Sequence, residues 1–299
     1  MQLQFENINK YFGDFHVLKD VSFTVRSGQI FGFLGRNGAG KTTAIRILMD
    51  VFKSDQGKIL LDGREFSRTD HVIGYLPEER GMYSKTTVKD QLVYFAMLRG
   101  AKRQDALESV LYWTKRFEID EYLERKLETL SKGNQQKVQI TQAFLNEPSI
   151  LILDEPFSGL DPLNAQLFQE ALTDYISEDR IIIFSSHQMS YVETFCDDIA
   201  IIDRGEIILA GTLEDIKEKE SRGYYHIGVT GGELDPLLAD LAIPFSKEDS
   251  HYLLELGKEE AVGRLLQAVM ESRLKLQLFA PYRPSLHEIF ISKVGEANE

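Results

Sequence analysis

The eight residues Gly35-Arg36-Asn37-Gly38-Ala39-Gly40-Lys41-Thr42 constrain this chain more than any other stretch. They match G-x-x-x-x-G-K-[ST] in full. They stand between an apolar run, QIFGFLG (29–35), and a run with helical spacing at Ile45, Leu48 and Phe52. A buried strand, a glycine loop and a helix in that order form a phosphate cradle. Glycines let the backbone turn sharply and approach a ligand. The loop amides face the anion, and the helix N-terminus favours negative charge. In this reading Lys41 reaches the outer phosphates of a nucleoside triphosphate, Thr42 ligates Mg²⁺, and Thr43 contacts the innermost phosphate.

The surrounding pattern predicts an α/β chain. VSFTV (21–25), 58–61 and 72–76 read as strands, and SILILDEP (149–156) and RIIIFSSH (180–187) as buried strands with a helix at about 162–177 between them. DIAIIDRGEIILAG (198–211) reads as a hairpin turning at Asp203-Arg204-Gly205. Residues 87–147 are helical in pattern and form an insert. Buried strands alternating with helices predict a mainly parallel sheet covered on both faces. The charged segment EDIKEKESRG (214–223), suited to a helix end or linker, marks the change from a first domain, 1–218, to a small α+β domain at 222–296. The second domain is expected to be β-α-β-β-α-β, ferredoxin-like, with a last helix at 285–294.

Composition narrows the function. A chain of 299 residues with a formal charge of −13 is a poor broad surface for nucleic acid or anionic lipid. Its one cysteine, Cys196, allows no internal disulfide. No signal peptide and no long apolar run are visible. If the protein works in transport, another chain must supply the channel. The sequence around Asp154 adds chemistry. Strand C-terminal ends line the ligand crevice of a parallel α/β sheet. Asp154 there is expected to hold Mg²⁺, and Glu155 to accept a proton from attacking water.

Four features stand in order: GRNGAGKT, LSKGNQQ, ILILDEP and SSHQ. Through them residues 1–218 resemble the ATP-binding subunits of ABC transporters, with a P-loop NTPase core and an N-terminal antiparallel β part. The resemblance implies that two ATPase subunits pair head to tail, one ATP lying between the phosphate loop of one and the signature of the other. Ser131, Lys132, Gly133 and Gln135 then hold the ATP of the partner subunit. Gly35, Arg36, Asn37, Gly38, Ala39, Gly40, Lys41, Thr42 and Thr43 hold the chain's own ATP. SGLD places Asp161 at the dimer seam, and His187 contacts the γ-phosphate and positions water and Glu155. Phe12, with Tyr11 as the alternative, stacks on adenine, and Val17 walls the pocket. The catalytic set is Glu155, His187 and Lys41; the metal set is Thr42, Asp154 and Glu78.

Two departures accompany the resemblance. Lys132 and Asn134 stand where the commonest signature has Gly and Gln; Lys132 either adds a cation near phosphate or extends into solvent. In GYLPEERGMY (74–83), Glu78 replaces the usual Gln; a carboxylate can ligate metal or accept from water but cannot donate an amide proton. The tail PYRPSLHEIFISKV (281–294) is similar to that of ATPases from two-chain exporters, including sodium- and drug-export types. The resemblance implies an ATP- and Mg²⁺-dependent ATPase, peripheral on the cytoplasmic face of the cell membrane. It would work with an integral membrane permease and a second ATPase subunit, as homodimer or heterodimer, without nucleic acid. The alternative is a soluble ABC-type ATPase acting on ribosomes or DNA; the single cassette and the absence of a long insert or cysteine cluster weigh against it.

Overall fold

The computed structural model describes residues 1–78, 81–221, 223–248, 251–257 and 259–296. It divides into two compact units, Met1–Thr212 and Leu213–Glu299.

In the first unit, β1 (Gln2–Phe12), β2 (Phe15–Arg26), β4 (Gln56–Leu61) and β5 (Arg64–Glu65) form an antiparallel sheet in the order β2-β1-β4-β5. Between β2 and β4 the chain makes β3 (Ile30–Leu34), the phosphate loop and α1 (Lys41–Leu48). The expected helix to Phe52 stops early: Asp50 takes a left-handed backbone (φ 56°), and Val51 N–H closes the end on Arg46 O at 3.0 Å. β6 (Ile73–Leu76) leads into the helical insert, α2 (Val88–Leu98), α3 (Arg103–Arg116) and α4 (Lys132–Phe144). Then come β7 (Ile150–Asp154), α5 (Pro162–Tyr175), β8 (Ile181–Ser186), a short α6 (Met189–Phe195), β9 (Asp198–Asp203) and β10 (Glu206–Thr212).

The second sheet runs β10-β9-β3-β8-β7-β6. Every pair in it is parallel except the β9–β10 hairpin. Its central strands are buried along their whole length, which explains the unbroken aliphatic runs ILIL and III in the sequence. One core joins the two sheets; in it Phe23 stacks on Phe5 and on Phe31 at 4.3 and 5.3 Å between ring centroids. A second aromatic cluster, Trp113, Phe117, Phe144 and Tyr175, fastens the insert to the body. Parallel strands bring the C-terminal ends of β3, β7 and β8 to one side, and that side carries the site.

The second unit contains α7 (Leu213–Ser221), β11 (Tyr224–Thr230), α8 (Asp235–Asp240), β12 (Phe245–Glu248), β13 (His251–Glu255), α9 (Glu259–Glu271), β14 (Lys275–Pro281) and α10 (Leu286–Glu296). The strands are all antiparallel in the order β12-β13-β11-β14, the expected β-α-β-β-α-β pattern. Ile227, Leu238, Leu254, Leu265 and Val269 form its separate core. The division at 212/213 places α7 with the second unit, whereas the sequence reading runs the first domain to 218.

Candidate nucleotide site

The phosphate loop leaves β3 at Gly35, whose φ is 158°, and enters α1 at Gly40, whose φ is 118°. A side chain at Gly35 would overlap the Ile202 carbonyl oxygen, and one at Gly40 would run into Leu18 and Ile202. The loop is thus pressed against β2 and β9 on one side. At Gly38 an added Cβ meets nothing, so the opposite side is open. The cavity there measures about 270 Å³ and is lined by Val17, residues 36–38 and 40–43, Glu78, Asp154 and Glu155. Gly35 and the buried Ala39 shape the loop from behind. Glu79 and Arg80, the rest of that Glu-Glu-Arg turn, lie outside the described residues.

Lys41 is buried and donates from Nζ to Gly35 O at 2.6 Å and Arg36 O at 3.3 Å. Burial lowers its pKa, while Glu155, Asp154 and Glu78 pull it back up. The ammonium is therefore held against the carbonyls of the loop it would leave for a phosphate.

The two carboxylates at the end of β7, Asp154 and Glu155, are neighbours in sequence. In an extended strand they would point to opposite faces. Here Glu155 adopts the left-handed region (φ 51°), and its N–H bonds to Ser185 O at 2.9 Å. That turn brings both acids into one cavity, at a strain of roughly 1–2 kcal/mol for a non-glycine residue. Asp154 Oδ1 accepts from Ser185 Oγ at 2.8 Å. Its Oδ2 is buried and has no hydrogen-bond partner among the described residues. An orphaned, buried carboxylate oxygen on a residue that lines the same cavity as Thr42 fits a cation. Burial pushes Asp154 up to about 6, against the lowering effect of the Ser185 bond, with Glu78 adding to the rise. Above that pH the buried charge costs the metal-free fold about 3 kcal/mol.

Glu155 is also buried and fully engaged. Oε1 accepts from His187 N and pairs with His187 Nδ1, each at 2.6 Å, and Oε2 accepts from Ser186 Oγ at 3.0 Å. His187 is half exposed and reaches the cavity only through Glu155.

Of the residues expected at the chain's own ATP, Phe12 lies outside this cavity; the signature and Asp161, expected at a partner's ATP and at the dimer seam, lie outside it as well. Phe12 does not line the cavity; half exposed, it meets Phe52 edge-on at 5.5 Å. Its alternative, Tyr11, stacks on His16 at 4.0 Å. The signature is likewise outside the cavity. Ser131 caps α4 by accepting from Asn134 N at 3.3 Å, and Ser131 and Lys132 are exposed. Gln135 holds the approach to the helix through Leu127 O and Leu130 O at 3.2 and 3.0 Å, leaving the cap and Gly133 at the surface side. Asp161 caps α5 through Asn164 N at 2.9 Å, and that bond holds its carboxyl below the usual range. Sequence reading missed Ser185 and Ser186 as site residues, although they precede His187 directly; only the parallel register Asp154 to Ser185 pairs them with the acids.

Residues 18–158 match the family model described as ABC transporter, and 211–294 match that of the C-terminal domain of DrrA1-3-like ATP-binding proteins. An uncharacterized ABC transporter ATP-binding protein of Bacillus subtilis, YhaQ, is 38% identical over 300 residues, covering 99% of this chain and 100% of that protein. The linearmycin resistance ATP-binding protein LnrL of the same organism is 29% identical, with 98% of each chain covered. A solved structure described as the ATP binding subunit of an ABC transporter superposes with TM-score 0.68 at 29% identity, over 81% of this chain and 100% of that one.

Proposed function

We infer the function from one premise: the chain belongs to the ABC transporter ATP-binding family and carries a DrrA-type C-terminal domain. It is the ATP-hydrolysing subunit of such a system. The finer reading is that it pairs head to tail with a second ATPase subunit and drives export through a separate permease, from the inner face of the membrane. One observation carries the pairing: the phosphate-loop cavity is built without Ser131, while Ser131 and Gly133 stand ready at the start of α4. Two half-sites in one chain form a whole site only between chains. A separate permease is favoured by the likeness to YhaQ, an ABC transporter ATP-binding protein matched over its whole length. Export is favoured by the likeness to a resistance protein, LnrL.

Bound Mg²⁺ would neutralise charge on the transferred phosphoryl group. Asp154 Oδ2, the Thr42 hydroxyl and Glu78 would hold it. Lys41 would exchange its loop carbonyls for phosphate oxygens. Glu155 takes the proton of the attacking water, its carboxylate held meanwhile by Ser186 and His187. Phe12 and Val17 receive the adenine, and Asp161 with Lys132 and Gln135 belong to the partner-facing surface.

Asp154 sets the pH dependence. A cation must displace its proton below about pH 6, so Mg²⁺ affinity in the presence of nucleotide should fall about tenfold per pH unit there and level off above it. Glu78→Gln should move that midpoint to lower pH, because Glu78 contributes to the raised pKa, and should weaken Mg²⁺ at pH 8. An unchanged titration in the variant would remove Glu78 from the metal set.

The transport reading is tested by purifying the tagged chain from detergent-solubilised membranes of its host. A multi-span membrane protein recovered in near-equal amount is the expected result. Recovery only from the soluble fraction with ribosomal or DNA-repair proteins would overturn it.

A further inference from the structure

We propose that Ser185 and Ser186 are positioning residues with separate tasks: Ser185 dedicates Asp154 Oδ2 to the metal, and Ser186 aligns Glu155 as the base. The inference rests on Asp154 as metal holder and Glu155 as proton acceptor.

The geometry is one hydroxyl per acid. Ser185 and Asp154 are register partners on β8 and β7, both fully or nearly fully buried. The Ser185 hydroxyl occupies Oδ1 at 2.8 Å, and Oδ2 is left without a partner among the described residues. A carboxylate with one oxygen tied cannot rotate freely between both, so the metal meets one fixed oxygen. Outer-shell bonds of this kind orient ligands, and their loss costs about tenfold to a hundredfold in metal affinity.

Ser186 does the corresponding task one residue on. Its hydroxyl donates to Glu155 Oε2 at 3.0 Å and accepts from Gln188 N at 3.0 Å. The Gln188 bond turns the hydroxyl toward the acid. Oε1 is taken by His187 through both backbone and ring. When the His187 ring turns to another acceptor, Oε1 keeps the His187 N–H and gains a free lone pair for water, while Ser186 still fixes Oε2. The left-handed turn at Glu155 brings both acids to one cavity, and the consecutive β8 residues Ser185 and Ser186 meet one acid each.

The test measures Mn²⁺ binding by electron paramagnetic resonance with a non-hydrolysable ATP analogue, alongside ATP turnover. Ser185→Ala should weaken Mn²⁺ by about tenfold or more while analogue binding in chelator is unchanged; Ser185→Thr should restore it. If Ser185→Ala does not fold, the near-isosteric Ser185→Cys, a weak donor, gives the same readout. Ser186→Ala should leave Mn²⁺ affinity within twofold of the parent and lower kcat. In a Glu155→Gln background it should add no further loss, because it acts through Glu155. Mn²⁺ affinity unchanged in the Ser185 variant, or full additivity of Ser186 with Glu155, overturns the proposal. Asp154→Asn separates the two levels: if it leaves Mn²⁺ affinity unchanged, the metal reading itself fails; if it abolishes binding while Ser185→Ala does not, only the serine assignment fails.

Discussion

Glu155→Gln is expected to slow ATP turnover by about 10² to 10⁴, leave ATP binding intact, and accumulate an ATP-bound dimer. The substitution keeps size and shape in a buried position, so the fold is not the variable. It removes the carboxylate assigned as the base, whose Oε1 pairs with His187 and whose Oε2 is tied to Ser186. The amide cannot take a proton from water. If hydrolysis is what reopens the dimer, binding without hydrolysis leaves it closed. Phosphate release and size-exclusion chromatography with ATP and Mg²⁺ read both effects. A variant turning over at the parent rate would show that the proton goes elsewhere and would return Glu155 to a purely structural role at the left-handed turn.

That turn marks where the sequence stops being readable. The phosphate loop, ILILDEP and SSHQ are local patterns, and a buried strand ending in an acid already points to a crevice. Nothing local announces that Glu155 has φ of 51° or that Ser185 and Ser186 each meet one acid, since these depend on the register of β7 with β8, strands about thirty residues apart. The β-α-β-β-α-β pattern of the second unit was legible from its apolar strands, but β12, the polar stretch FSKE, shows itself only through pairing with β13. The seven-residue α6, too short to display a period, was not legible either. The charged segment 214–223 reads as a helix end or a linker, and most of it is α7, whose apolar residues Leu213 and Ile216 are buried.

Mixing two dead variants is expected to restore activity. Lys41→Ala removes the buried cation of the phosphate cavity. Ser131→Arg blocks the start of α4 at an exposed residue; the lost cap itself costs only about 1 kcal/mol, so the chain stays folded. Each variant alone should lose ATPase activity almost completely, because in either pure dimer both composite sites carry the same defect. Both half-sites are intact in this one chain, so two copies suffice to build two sites. In an equal mixture half of the dimers are mixed, and each of those holds one unmutated loop facing one unmutated signature, giving about a quarter of parent activity by the two-fold symmetry of the pair. Activity should also rise more steeply than linearly with protein concentration. If the mixture stays as inactive as its components while each variant still folds, pairing between copies of this chain is excluded. If Ser131→Arg alone keeps parent activity, the start of α4 is only a helix cap, and the γ-phosphate is held by the cavity's own residues.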